Sequence, residues 1–81
     1  MKEFIDLCIE ALRRGTTLGT DGLFYSYIGN GHYIEQDPAV GDSDTYIEES
    51  VMRRRLEVYY RESPEALEMD REWLLECHNI A

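Results

Sequence analysis

Cysteine is scarce in this chain: 81 residues contain two, Cys8 and Cys77, too few for the dense disulfide framework of a small secreted scaffold. Both fall on apolar faces of expected helices. Free buried thiols in a reducing cytoplasm are therefore expected, with one disulfide as the alternative. Long hydrophobic runs are missing too, and none approaches the roughly 20 residues that a membrane span needs. The N-terminal MKEFIDLC is charged and its apolar residues are interrupted, so no secretory signal is expected. A cytoplasmic protein away from membranes follows. Basic side chains are few, eight against seventeen acidic, for a net charge of −9. That sign disfavours direct contact with nucleic acid or an anionic membrane and favours a positively charged partner. Internal repeats, low-complexity tracts and linkers are absent, which leaves one domain over residues 1–81, near the size at which a single core is marginal.

What the chain does have is an ordinary globular balance, 43% hydrophobic and 31% charged, so disorder is not expected despite the charge. Six of its nine aromatics are tyrosines, more than so small a core takes in easily. The strongest local signal is Leu23 to Gln36, LFYSYIGNGHYIEQ, two apolar-aromatic runs joined by Gly29, Asn30 and Gly31. Asn-Gly supplies the positive φ angles of a tight hairpin turn. A three-residue loop sets Tyr27 opposite Tyr33 and puts Phe24, Ile28 and Ile34 on one face, with Tyr25, Tyr27 and Tyr33 on the other. A two-residue Asn30-Gly31 loop is the alternative, with Tyr27 opposite Ile34.

Helices are expected around this hairpin. Lys2 to Arg14 places Phe4, Ile5, Cys8, Ile9, Ala11 and Leu12 on one broad side, and Gly15 is a natural left-handed stop. Thr16 to Gly22 reads as a connector in which Thr16 to Leu18 has room for a short strand. Asp37 to Asp44 is a second loop. Thr45-Tyr-Ile-Glu48 matches a capping box, so a helix is expected from Thr45 to about Arg61. Its apolar residues form two stripes, Ile47, Val51 and Val58 on one and Met52, Leu56 and Tyr59 on the other. The alternation of residues 55–60 also fits a third strand, but the opposite-charge pairs Glu49/Arg53 and Glu57/Arg61 favour helix. Ser63-Pro64-Glu65 starts a last helix running to about His78, with Ala66, Met69, Trp73 and Cys77 as its apolar stripe beside Leu67, Leu74 and Ile80. The expected fold is α+β, in the order α-β-β-α-α, an antiparallel hairpin packed against two or three helices.

Charge is uneven: residues 1–41 carry net −3 and residues 42–81 net −6. Glu65, Glu68, Glu72 and Glu76 follow steps of three, four and four, a row along one helix edge that costs a few tenths of a kcal/mol per like-charge pair. Such a row is either a solvated face or a surface kept for a partner. Residues 35–49 add six carboxylates and no basic residue, among them Asp42, Asp44, Glu48 and Glu49. Carboxylates about 5–6 Å apart along a helix imitate the regular charge of a nucleic-acid backbone. Small acidic phage proteins that block restriction or CRISPR effector complexes work on that charge logic; the parallel is one of charge and size, and no motif is shared. Tyr25, Tyr27 and Tyr33 are the expected aromatic anchors if their face is outside; burial with the hydroxyls at a rim is the alternative. Arg53-Arg54-Arg55 is the one basic cluster, pointing in three directions along a helix, with Glu49 and Glu57 in reach of Arg53 and an acidic patch of a second copy as another partner.

Catalysis is poorly provided for. His32 has no nucleophile or carboxylate fixed beside it by spacing, Cys77 and His78 splay by about 100° on their helix, and no Gly-rich phosphate loop stands between strand and helix. No cofactor or metal is expected. The sequence reads as a small acidic inhibitor or regulator that covers the basic surface of a nucleic-acid-handling protein. A homo-oligomeric adaptor or antitoxin-like protein with an apolar interface is the alternative.

Overall fold

The computed structural model describes residues 1–41 and 44–80, and the side chains of all of these except 77–80. The chain opens with helix α1 (Lys2–Arg13), whose buried residues are the six of the expected apolar side. Gly15, at φ +102°, ends it in the left-handed conformation that glycine adopts without a Cβ penalty. Four strands follow: β1 (Leu18–Thr20), β2 (Leu23–Gly29), β3 (His32–Gln36) and β4 (Asp44–Glu48). They form one antiparallel sheet in sequence order. Helices α2 (Glu49–Glu62) and α3 (Pro64–Ile80) complete the fold. The class is α+β, as expected, with two strands more than the hairpin alone supplies.

The β2–β3 hairpin combines both expected registers. Asn30 (φ +52°) and Gly31 (φ +74°) form a two-residue loop, and Gly29 pairs with His32. A bulge between Tyr27 and Gly29 then shifts the ladder, so that Tyr27 opposes Tyr33 and Tyr25 opposes Glu35. The division into a Phe24/Ile34 face and a tyrosine face therefore holds.

The expected helix start at Thr45 is corrected by β4. Residues 44–48 pair with β3, Tyr33 opposite Ile47 and Ile34 opposite Tyr46. Thr, Tyr and Ile favour the pleat, and as a strand residue Ile47 is the one side chain of β4 buried in the core. The chain passes straight from Glu48, still extended, into α2, and no side chain caps that helix. Residues 55–60 are helical, as preferred.

One face of the sheet supports the helices. Its Leu18, Tyr25, Tyr33 and Ile47 meet α1 and the Met52, Leu56 and Tyr60 stripe of α2, while Leu74 of α3 closes the cluster. Phe4 meets Tyr60 edge-on with ring centroids 4.7 Å apart, a favoured aromatic geometry. Cys8 is a free, fully buried thiol, pushed up to about 12 chiefly by that burial and then by the charge of Asp70; the expectation for Cys77 lies outside the described side chains. The other sheet face has no element packed on it among the described residues and carries Phe24, Ile34 and Tyr46, Tyr46 being 67% exposed.

Candidate functional site

Helix α3 starts where Ser63-Pro64-Glu65 places it, with the Ser63 carbonyl accepting from the N–H groups of Ala66 and Leu67. Leu74 is fully buried and Leu67 packs against the core. Seven residues apart, these two fix the inward line of the helix. At about 100° per residue, Glu65, Glu72 and Glu76 then fall within about 40° of one another on the opposite side, with Glu68 at its edge. All four carboxylates are exposed. None makes an ion pair among the described residues, whose five salt bridges lie elsewhere.

The apolar stripe expected on α3 is only half correct. Met69 is 73% exposed and Trp73 43%, and both stand outside the core beside the glutamates. The inward line through Leu67 and Leu74 also brings Asp70 partly inward, where it accepts the Tyr60 hydroxyl at 2.6 Å. With residues 67, 70 and 74 on the inward side, Met69 and Trp73 are turned toward solvent. With Leu75 exposed on the other flank, the acidic row has apolar borders that sequence periodicity assigned in part to the core.

The expected tyrosine anchors are corrected by burial. Tyr25 is 2% exposed and Tyr33 has no exposed surface, while Tyr27 is half-buried and packs on the core cluster. Their face lies under the helices and their hydroxyls reach its rim, the alternative the sequence allowed. Tyr25 donates to Glu35 (2.6 Å), and the same carboxylate oxygen meets Arg55 at 2.8 Å. Tyr33 donates to Glu49 (2.8 Å), which also pairs with Arg13. The Tyr33 hydroxyl and Arg13 hold the Glu49 carboxyl below its ordinary value. Arg13 stacks over Tyr27, 5.6 Å from the ring centroid, and the Tyr27 hydroxyl accepts the Gly31 N–H. The Gly31 carbonyl in turn accepts the Glu49 N–H, so the hairpin turn is tied to the start of α2.

The acidic segment 35–49 is divided by this arrangement. Glu35 and Glu49 are structural acceptors rather than parts of a free patch, which corrects the expectation for Glu49. Asp37 accepts the Ala39 N–H within its turn. Asp44 and Glu48 are exposed and lie in register with Gln36 and His32 on the open sheet face, away from the helices. The expectation for Asp42 lies outside the described residues. The carboxylates named from the sequence thus fall on two surfaces, the α3 row and the β4 strand.

Of the three arginines, Arg53 pairs with Asp6 (2.7 Å) and Arg55 with Glu35, not with Glu49 or Glu57; Glu57 pairs with Arg61 as expected. Arg54 has no ion pair among the described residues. His32 is exposed, its Nδ1 2.9 Å from the Asn30 carbonyl oxygen. Among the described residues no three His, Cys, Asp or Glu side chains converge as a metal site requires, and no helix is long and apolar enough to cross a membrane. Family models, curated proteins and solved structures were compared with this chain, and none matches.

Proposed function

We propose that this chain is a protein-binding module that regulates or inhibits a basic, nucleic-acid-handling protein through the outer face of α3. One observation carries the reading: four exposed carboxylates, without ion pairs among the described residues, run down a helix whose flanks present Met69, Trp73 and Leu75. The carboxylates steer and orient a basic partner. Trp73, large and already part-exposed, supplies the desolvated anchor that most interfaces need. In this role Trp73 and Met69 take the place of the buried hairpin tyrosines. With successive turns of charge about 5.4 Å apart, the face would occupy a groove built for a phosphate backbone and exclude the nucleic acid.

The test is capture of partners from a lysate of the natural host, with elution in a salt gradient. A Glu65/Glu68/Glu72/Glu76→Lys variant should keep its circular dichroism spectrum and lose the partner, and Trp73→Ala should weaken capture about tenfold or more. Undiminished capture by the charge-reversed variant would remove the α3 row from the argument. A second reading, self-association, is favoured by the open sheet face, where Phe24 and Tyr46 are exposed. Its test is the oligomeric state of a Phe24→Ser/Tyr46→Ser variant.

A further inference from the structure

Helix α2 carries two apolar stripes, and the core uses one. Met52, Leu56 and Tyr60 are buried, whereas Val51 and Val58 remain 39% and 45% exposed. Seven residues apart, the two valines stand on one line of the helix, with Arg54 between them. Opposite this line is the β1–β2 turn, where Asp21 (φ +51°) and Gly22 (φ +82°) reverse the chain. Between them lies a cleft of about 690 Å³, within the range that holds a small organic molecule. Leu23, Val51, Val58 and Tyr59 give it apolar walls, and Arg54 and Arg55 bring their side chains to it.

The two arginines are prepared differently. Arg55 is anchored by Glu35, which is itself held by the Tyr25 hydroxyl, so its guanidinium is positioned before any ligand arrives. Arg54 has no ion pair among the described residues, so its guanidinium is available to a ligand in the cleft. A guanidinium presents its N–H groups as a planar fork that matches a carboxylate. Asp21 and Glu62 also border the cleft, and their charge opposes a dianionic headgroup more strongly than a monoanionic one.

We propose that this cleft binds a small amphipathic carboxylate, its apolar body between Leu23, Val51 and Val58 and its headgroup on Arg54 beside Arg55. The site is separate from the α3 face and makes no use of it.

The experiment titrates octanoate into the isotope-labelled full chain and follows backbone amide resonances, with octylammonium and octyl phosphate as comparison probes. Octanoate should shift the amides of Leu23, Val51 and Val58 with a Kd on the order of 1 mM, as expected for a ligand of its size. Arg54→Gln, at an exposed position, should leave the melting temperature unchanged and weaken binding about tenfold. Val58→Glu should abolish it. Octyl phosphate, dianionic at neutral to alkaline pH, should bind more weakly. Absence of shifts, shifts centred on Phe24 and Tyr46, equal binding of octylammonium, or an Arg54→Gln variant that binds as well as the parent would each overturn the site. Tighter binding of octyl phosphate would overturn the carboxylate assignment.

Discussion

Three tyrosine hydroxyls inside the fold donate to carboxylates: Tyr25 to Glu35, Tyr33 to Glu49 and Tyr60 to Asp70. Each must be protonated to donate, so the fold favours the neutral phenol. Burial first, and then the Glu35 hydrogen bond, push Tyr25 up to about 12, and burial raises Tyr33 and Tyr60 in the same direction. A raised folded-state value contributes stability that is complete below the ordinary tyrosine value of about 10 and is lost as pH rises through the folded one. Melting temperature should therefore fall between about pH 10 and 12, in step with tyrosinate absorbance. Glu49 moves the other way. Its lowered value contributes stability above the ordinary carboxylate range that disappears as pH falls through the folded value. Tyr33→Phe keeps the ring and removes the hydroxyl, the largest influence on Glu49. It should cost about 1 kcal/mol at neutral pH and make the acid limb of the stability profile shallower, both measurable by urea titration across pH. An unaltered acid limb would show that Arg13 and Arg53, and not the Tyr33 hydroxyl, set the Glu49 carboxyl.

At the scale of elements, β4 is the most exposed to test. Ile47→Ala empties a core position and should cost about 2–4 kcal/mol, while Thr45→Ala on the exposed edge should cost under about 1 kcal/mol. A helix capped at Thr45 would instead make Thr45→Ala cost about 1–2 kcal/mol; denaturant midpoints of the Thr45 variant decide between the two. The physical reason β4 is hidden in the sequence lies in its non-local partner. Thr45-Tyr-Ile-Glu48 satisfies a capping box on local grounds, and only pairing with β3 makes it a strand. By contrast, α1 is legible because its six buried residues repeat at helical spacing and Gly15 stops them. Asn30-Gly31 and Ser63-Pro64 are equally plain, because turn and cap chemistry is local. The division of the hairpin into two faces is readable too, but not which face goes in, since both are apolar. That choice rests on partners distant in sequence: Tyr33 reaches Glu49, and Glu49 reaches Arg13 from 36 residues away. The acidic row of α3 is readable from spacing alone, whereas the outward turn of Met69 and Trp73 follows from tertiary packing, in which Leu67 and Leu74 take the core side and Asp70 meets Tyr60, and spacing offers both apolar lines equally.

For the whole molecule, the α3 face and the open sheet face both stand uncovered among the described residues, and ionic strength acts on them in opposite directions. The α3 face offers charge, and its attraction for a basic partner is screened over about 10 Å at 0.1 M salt, so capture should weaken steeply as salt rises. The open sheet face offers Phe24, Ile34 and Tyr46, with Asp44 and Glu48 beside them. Two copies meeting there must first overcome the mutual repulsion of molecules that each carry −9. Added salt removes that repulsion and leaves apolar attraction almost unchanged. Sedimentation should accordingly find monomers at low salt and a rising share of dimers at about 0.5 M, where the screening length is only a few ångströms. Phe24→Ser/Tyr46→Ser should stay monomeric at both, since these exposed side chains add little to the core. Dimers that persist in the double variant would move the self-association surface away from the sheet, and dimers that dissolve with salt would make it ionic, with Arg54 against the glutamates of a second copy as the pair to break next.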